Sequence, residues 1–419
     1  MMIDRTRLKL AYGNWVVGKR FWGREKDIEL FVERIDDGAH LLLVAQRRMG
    51  KTSLMKEVAQ RLSERYVCVF VDFQKALSAP DAVAEMSLQL RPHRNLWKKT
   101  TDLFGNILRA ITKTVEKVDL GDLGVTLRAG LTAGNWASKG DQLFAILAAS
   151  ERPVLLLLDE VPIMVNRLLK GDDHKITPKQ KAAADEFMSW LRKNSIQHQD
   201  RVRIVLSGSI GLEPILRQAG LSATVNNFSP FELKAWDDPT AIGCLEALAK
   251  EYGVRFQKGV PEEVLNRLGY NIPHHVQVFF AHIYDLCKRR EQMEFSIDEI
   301  DEVYTREMLS TRGHVELAHY EERLKPVLGE DALPLALDML TETAVSGHLS
   351  REAILSLQKY YSFEDRNIVE VRNEIIWVLE HDGYLKSSPN GYVFVSNLLR
   401  DWWKARYEAF YTVVSERRI

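Results

Sequence analysis

Residues 40–64 constrain the fold of this chain more than any other stretch, because a Gly-Lys-Thr loop joins an apolar run to a helical pattern. The run "HLLLVA" (40–45) carries apolar residues on both faces, which is typical of a strand buried in a parallel sheet. The loop 45–52 has the form small-x-x-x-x-Gly-Lys-Thr. Such a loop can turn its backbone N–H groups toward an anion and start a helix whose positive end faces it. The stretch therefore predicts a strand, a phosphate-binding loop and a helix, in that order.

Apolar runs and helical patterns alternate through the first 235 residues or so. Further strands are predicted at 66–73, 153–159, 202–208 and 225–233, and helices at 51–64, 80–91, 139–150 and 177–195. This alternation predicts an α/β fold, a parallel sheet built from right-handed βαβ units with helices on both faces. Residues 93–138 interrupt the pattern and are interpreted as an insertion, amphipathic in its first half and extended in "LGVTLRAGL" (123–131).

From Asp238 onward the pattern becomes helical. Helices are predicted at 239–252, 261–268, 274–289, 296–309, 330–345, 350–358 and 366–382. Two apolar-aromatic runs in 383–396 flank Ser388-Pro389-Asn390-Gly391, a hairpin signal in which Asn-Gly can take positive φ. Helices followed by a two-stranded wing predict a winged-helix domain. The predicted domains are a core at 1–237, a helical segment at 238–312 and a winged helix at 313–419.

The residue types in the loop and in a second strand end indicate nucleotide chemistry. Lys51 would reach the β- and γ-phosphates, and Thr52 would ligate Mg²⁺. Ala45 stands where such loops usually begin with glycine, which matters only if that position needs positive φ. The strand "LLLLDE" ends in Asp159 and Glu160, and carboxylates at such strand ends lie over the loop crevice. Asp159 is therefore predicted to hold Mg²⁺, and Glu160 to act as general base toward water.

Three more side chains near these motifs are candidates with open alternatives. Ser209, or Ser207 close to it, would touch the γ-phosphate or the attacking water, or would be an ordinary turn serine. Arg47 and Arg48 would contact phosphates, a partner's carboxylate or a neighbouring subunit. Alternatively, they are solvated or paired with an acidic residue such as Glu25.

Seven segments together resemble the prokaryotic AAA+-type ATPases known as predicted archaeal-type ATPases, relatives of the STAND and origin-recognition ATPases. They are "FWGREKDIELF" (21–31), "QRRMGKTSL" (46–54), "LLLLDE" (155–160), "VLSGSIGLEPIL" (205–216), "YNIPHHVQ" (270–277), "HYEERL" (319–324) and "LEHDGYL…YVFVSNLLRDWW" (379–403). The resemblance covers nearly the whole chain except 93–138.

The resemblance implies a P-loop ATPase that binds ATP and Mg²⁺, with a lid formed by the helices of 238–310. It places "VVGKRFWGRE" near the adenine and assigns Pro273 to a lid motif that packs on the nucleotide. The sequence departs from that motif, with Tyr270-Asn271-Ile272 where glycines are usual and His274 and His275 in place of a sensor arginine. Arg217 is the best positional candidate for an arginine finger. The implied nucleotide-binding residues are Ala45, Gln46, Arg47, Arg48, Met49, Gly50, Lys51, Thr52, Ser53 and Pro273.

Charge and cysteine usage limit partners and location. The net charge of -1 provides no global attraction to nucleic acid or to an anionic membrane. Within 366–382 two basic residues face four acidic ones, which disfavours insertion of this helix into DNA. The three separated cysteines, the absence of an apolar signal segment and the shortness of all aliphatic runs predict a cytoplasmic protein without a membrane span.

These observations predict an ATP-hydrolysing regulatory switch whose winged helix is an intramolecular or protein-docking module. The expected partner is another protein or a second copy of the chain. Two alternatives stay open. One is an ATP-regulated DNA-binding protein, and the other is a scaffold that binds ATP with little hydrolysis.

Overall fold

The computed structural model describes residues 8–11, 13–105, 120–171, 175–309, 311–363 and 366–417. The chain folds into two compact units. The sheet unit comprises Glu25–Val44 and Leu54–Glu232. The loop unit comprises the residues up to Arg24, the loop Ala45–Ser53 and the chain from Leu233 onward. The domain limits derived from the sequence, 237/238 and 312/313, stay predictions.

The sheet unit is built on five parallel strands in the order β2-β3-β4-β1-β5. They are β1 (His40–Val44), β2 (Val67–Asp72), β3 (Val154–Asp159), β4 (Val202–Leu206) and β5 (Phe228–Glu232). Every residue of β3 is buried, as its continuous leucine run requires. All five predicted strands are confirmed. Because the strands are parallel, Val44, Asp159 and Leu206 end at one edge of the sheet.

Nine helices accompany these strands along the described chain. They are α1 (Glu25–Asp36), α2 (Lys51–Arg61), α3 (Ala79–Leu88), α4 (Arg94–Leu103), α5 (Leu120–Gly130), α6 (Trp136–Ala148), α7 (Val161–Lys170), α8 (Pro178–Gln197) and α9 (Leu212–Gln218). The predicted helices 51–64, 80–91, 139–150 and 177–195 correspond to α2, α3, α6 and α8. A reciprocal capping box of Thr177 and Gln180 begins α8. The structure therefore confirms the alternation of strands and helices.

One prediction for the insertion is wrong. Residues 123–131 do not form an extended piece, because most of them belong to helix α5. Gly124, Leu127 and Leu131 are buried at helical spacing, and Arg128 pairs with Glu85 of α3. Residues spaced three or four apart share one face of a helix and not one face of a strand. Burial at this spacing therefore requires a helix, although valine and threonine in the segment favour a strand. The amphipathic stretch predicted before it, 95–117, begins in α4, and its second half lies outside the described residues.

In the loop unit, the chain from Asp238 forms three regular helices, α10 (Asp238–Tyr252), α11 (Val260–Leu268) and α12 (Pro273–Arg289). These confirm three of the four helices predicted for this region. The fourth, 296–309, is divided into a 3-10 turn at Ile297–Glu299, the short helix α13 (Ile300–Val303) and a π-helical stretch at Tyr304–Met308. Two short strands pair in parallel: β6 (Arg255–Phe256), which follows α10, and β7 (Glu294–Phe295), which follows α12.

The remaining residues, 311–417, are called here the C-terminal module. The module contains α14 (Thr311–Ser346), α15 (Arg351–Leu357), α16 (Ile368–His381), the antiparallel strands β8 (Leu385–Ser388) and β9 (Gly391–Phe394), and α17 (Asn397–Tyr407). Gly329 interrupts α14 with a φ of 81°, so the predicted helix 330–345 is its second half.

The predicted hairpin is present, with Pro389 and Asn390 as its two turn residues. Within the Asn-Gly pair the positive φ falls on Gly391, at 123°, and not on Asn390. No helix of the described chain combines the length and apolar composition that crossing a membrane requires.

Candidate functional site

The loop Ala45–Ser53 connects β1 to α2 and carries the residues predicted to hold phosphate. Gly50 has a φ of 91°, and a Cβ at this position would meet no atom within 4 Å. The loop therefore leaves open space at the position where backbone N–H groups would approach an anion. Among the described non-glycine residues only Arg48, Glu160 and Glu291 have positive φ. Ala45 therefore does not have positive φ, and the left-handed non-glycine residue of the loop is Arg48.

Lys51 spans this loop from the first turn of α2. Its side chain is buried, with 8% exposure, and its Nζ donates hydrogen bonds to the carbonyls of Ala45 (2.6 Å) and Gln46 (3.0 Å). A buried ammonium group needs such partners, because water no longer solvates it. The loop carbonyls thus hold the positive charge inside the turn of the loop.

The N-terminal segment fixes the loop from a second direction. Arg24 donates to the carbonyls of Met49 (3.0 Å) and Lys234 (2.7 Å). The backbone N–H of Val16 donates to Oγ of Ser53 (3.0 Å), and Arg48 donates to the carbonyl of Gly13 (3.0 Å). Arg24 was missed as a site residue, although its place in "FWGRE" was a signal. Its role is to position the loop.

Side chains of the loop differ from its backbone in what they can bind. The Met49 side chain is buried in the core, so only its backbone can serve a ligand. Gln46 packs against Gly383 of the C-terminal module, and Arg47 lies among Tyr320, Arg323 and Tyr384. Gln46 and Arg47 were both predicted to bind nucleotide. Their side chains contact protein instead, which leaves their backbone groups as candidates.

The sheet unit contains the predicted acidic pair. Asp159 is the last residue of β3, is 5% exposed, and accepts a hydrogen bond at Oδ1 from the backbone N–H of Glu160 (3.1 Å). The register pairs Asp159 with Asp72, the last residue of β2. Lys56 of α2 interacts electrostatically with both carboxylates. Burial lowers the pKa of Lys56, and the negative charges of Asp159 and Asp72 oppose that shift. Asp72 was missed, although "VFVDF" ends in an acidic residue much as "LLLLDE" does.

Glu160 is held in one orientation by the neighbouring strand end. Ser209, which follows β4, donates its backbone N–H (3.0 Å) and its hydroxyl (2.6 Å) to Oε2 of Glu160. Glu160 itself has a φ of 57° and precedes the first residue of α7. Ser209 was predicted to touch the γ-phosphate or water, whereas here it contacts the predicted general base. The Ser207 hydroxyl is buried and has no hydrogen-bond partner in the described structure.

The turn before α12 corresponds to the lid motif of the sequence analysis. Pro273 is the first residue of α12 and is buried, a position that needs no backbone N–H. Asn271 donates its Nδ2 to the carbonyl of Trp236 (3.2 Å) and to Oδ1 of Asp238 (2.8 Å). Asn271 therefore ties this turn to the start of α10. His275 is buried beside His274, and Arg217 is exposed near the end of α9 in the sheet unit.

The residues present fit a phosphate group and a hard divalent cation. Open space at Gly50 and the buried ammonium group of Lys51 suit a phosphate. The carboxylate of Asp159 suits Mg²⁺, which prefers oxygen ligands and usually keeps waters and substrate phosphates as the others. Within the described ranges no group of three or more His, Cys, Asp and Glu residues could hold a metal ion. A cation here would therefore need ligands beyond the protein's carboxylates.

No protein-family model matches this chain, and no curated protein matches its sequence. Solved structures do share its fold. The Walker-type ATPase PABY2304 of Pyrococcus abyssi matches with a TM-score of 0.61 and 14% identity, over 94% of this chain and 99% of that one. The ORC2 protein of Aeropyrum pernix matches with a TM-score of 0.52 and 14% identity, over 97% and 99%.

The chain therefore shares the fold of these two structures. The five-stranded parallel sheet and the long coverage of both neighbours confirm the predicted fold class. At 14% identity the likeness concerns the fold alone, so membership of the archaeal-type family stays a prediction.

Proposed function

We propose that this chain binds ATP with Mg²⁺ and hydrolyses it, acting as a regulatory switch that couples nucleotide state to a C-terminal winged-helix module. The observation that carries the proposal is the loop Ala45–Ser53, with open space at Gly50 and Lys51 held across it. The ORC2 neighbour is described in ADPNP–ADP complexes, which supports an adenine nucleotide as the ligand.

Each residue has a role in this proposal. The loop backbone from Ala45 to Gly50 would donate N–H groups to the phosphates, and Lys51 would neutralise the β- and γ-phosphates. Thr52 and Asp159 would hold Mg²⁺, which supplies charge neutralisation at the phosphates. Chain order supports their joint use, since Ala45 directly follows β1 and Asp159 ends β3 of the same parallel sheet.

Glu160 would accept a proton from the attacking water, with Ser209 positioning its carboxylate. Water oxygen then bonds to the γ-phosphorus, and the bond from that phosphorus to the β–γ bridging oxygen breaks. Pro273 would pack on the nucleotide from the lid formed by α10 to α12.

ATP turnover and binding by three proteins test the proposal. Wild type should turn over ATP at least 10²-fold faster than Glu160→Gln, a factor typical of removing a general base, while the variant still binds ATP. Lys51→Ala should lose detectable ATP binding. Turnover in wild type no faster than in Glu160→Gln would favour an ATP-binding scaffold. Tight ATP binding by Lys51→Ala would mean that the site lies elsewhere.

The partner of the switch is proposed to be a protein rather than DNA. Arg366, one of two basic residues in the 366–382 stretch, pairs with Glu374. Mass measurement in solution with and without ATP and Mg²⁺ tests whether the partner is a second copy of the chain. A nucleotide-dependent rise in mass would indicate self-association, with Arg217 a candidate for a finger supplied to a neighbour. A constant monomer mass would favour a simple switch within one chain.

A further inference from the structure

Gly383 marks a contact between the C-terminal module and the phosphate loop within the loop unit. Gly383 lies between the end of α16 and the start of β8 with a φ of 79°, a left-handed conformation that favours glycine. A Cβ built on Gly383 would lie 2.0 Å from Cδ and 2.2 Å from Cγ of Gln46. The Gln46 side chain therefore occupies the space that any other residue at 383 would need.

The next loop residue, Arg47, is half-buried near the module. Arg47 lies beside Tyr320 and Tyr384, and burial together with the nearby Arg323 and Arg48 lowers its pKa to about 10. These two tyrosines are held against each other. Tyr384 is buried and donates its hydroxyl to the carbonyl of Tyr320 (2.6 Å), and the two rings meet edge to face at 5.8 Å.

The backbone is strained at Arg48, the residue that follows Gln46 and Arg47. Arg48 has a φ of 65°, a left-handed conformation that brings the Cβ too close to the following carbonyl oxygen. Such strain persists only where the surroundings over-determine the backbone. Here Gln46 and Arg47 are held by the module, while Gly13 and Arg24 hold Arg48 and Met49 through the hydrogen bonds described above.

We propose that the C-terminal module keeps the phosphate loop in its ligand-ready conformation through Gln46 and Arg47. Gly383, Tyr384 and Tyr320 are then positioning residues of the nucleotide site. A loop ordered in advance binds phosphate without paying the ordering entropy at that moment. The coupling is reciprocal, so a bound nucleotide stabilises the docked module by the same factor. This inference rests on the proposed nucleotide binding and specifies which contacts regulate it.

A double-mutant cycle on the full chain tests the contact. Gly383→Ala should expel the Gln46 side chain, and Gln46→Ala should remove it. Each change should weaken binding of ADP and of ATP with Mg²⁺ about 5- to 10-fold, within the usual range of coupling between sites. Because both variants lose one shared contact, Gln46→Ala/Gly383→Ala should bind no more weakly than the weaker single variant.

Gly347→Ala is the matched control. Gly347 also follows a helix of the module with a positive φ of 88°, but a Cβ there would meet nothing within 4 Å. Its variant carries the same backbone strain without the clash, so its nucleotide affinity should equal that of wild type. Circular dichroism of each variant confirms that the protein is folded.

Hydrogen exchange of the backbone amides 46–50 without nucleotide provides a readout independent of binding. Exchange should be faster than wild type in Gly383→Ala and Gln46→Ala, and unchanged in Gly347→Ala. Unchanged loop exchange in the first two variants, or additive effects in the double variant, would overturn the inference. If wild type bound neither nucleotide, the proposed function would fail, and loop exchange would still decide whether the module holds the loop.

Discussion

Arg48 and Glu160 are charged residues of the candidate site on left-handed backbone, with φ values of 65° and 57°. Left-handed conformation is unusual for residues other than glycine, asparagine and aspartate. Both residues lie where a strand gives way to a helix: Arg48 between β1 and α2, and Glu160 between β3 and α7. Strain at these turns sets the direction of the backbone N–H groups that follow. From the sequence, Ala45 is the loop residue at which positive φ would cause strain. The residue that has this conformation is Arg48, three positions later.

Substitutions at residue 48 should separate backbone strain from the arginine side chain. Arg48→Asn and Arg48→Val both remove the hydrogen bond to Gly13, but only asparagine tolerates left-handed φ well. We expect Arg48→Val to have a free energy of unfolding about 1 kcal/mol lower than Arg48→Asn, since a β-branched residue is an outlier there. Urea unfolding of the two variants measures the difference. Equal stability would show that residue 48 does not need this conformation.

Ser209 should affect turnover through Glu160 and leave nucleotide binding alone. Ser209→Ala removes the hydroxyl that donates to Oε2 of Glu160 and keeps the backbone N–H. We expect kcat to fall roughly 10-fold, because the hydroxyl hydrogen bond that orients the carboxylate of the base is lost, at about 1.4 kcal/mol. Steady-state turnover and the Kd for ATP measure the two effects.

Ser209→Thr is the control for this prediction, since threonine retains the hydroxyl and should retain most of kcat. A kcat of Ser209→Ala equal to that of wild type would show that Ser209 does not position the base. A large change in the Kd for ATP would instead favour direct contact of Ser209 with nucleotide, the role first predicted for it.

At the scale of elements, helices α6 and α8 meet through an aromatic cluster in the core of the sheet unit. Trp190 of α8 contacts Trp136 and Phe144 of α6 edge to face, with centroid distances of 5.2 and 5.6 Å. Gly140 lies between those two residues on α6, and a Cβ there would be 2.4 Å from Cζ2 of Trp190. The indole thus packs directly on the α6 backbone.

Gly140→Ala should therefore destabilise the protein, against the usual rule for helices. Alanine gains about 1 kcal/mol of helix propensity over glycine, but overpacking of a core costs typically 1–3 kcal/mol. We expect a net loss of roughly 1 kcal/mol in the free energy of unfolding. Gly124→Ala in α5 is the control, since its nearest contact would be an ordinary 3.5 Å to Leu88. Equal or greater stability of Gly140→Ala would contradict the close packing of the indole.

Residues 123–131 were predicted to be extended, but most of them form helix α5. Valine, threonine and leucine in "LGVTLRAGL" favoured an extended conformation. Burial of Leu127 against the core and pairing of Arg128 with Glu85 of α3 selected a helix instead. The leucine run of β3 had no such competitor, because only a strand enclosed on both faces buries all of it.

For the whole molecule, charge predicts what the chain does not bind. The net charge of the chain is -1. The helix that would have to enter a DNA groove is α16, and Arg366, just before it, forms an ion pair with Glu374. DNA affinity depends mainly on phosphate neutralisation by basic residues and falls with salt. We expect no salt-dependent binding of a DNA duplex at micromolar protein, with ATP, with ADP or without nucleotide. Binding isotherms at two salt concentrations measure this, and a steep salt slope in one state would support the DNA-binding alternative.

The sequence alone determined the strands, the loop 45–52, the acidic end of β3 and the hairpin. Each of these depends on the types and spacing of residues that are close in sequence. Only the tertiary structure decided which distant residues meet: Asp72 with Asp159, Ser209 with Glu160, and Gln46 with Gly383. The physical reason is that periodicity reports which face of an element is buried, but not which element covers it. The choice of neighbour depends on packing and register across the fold.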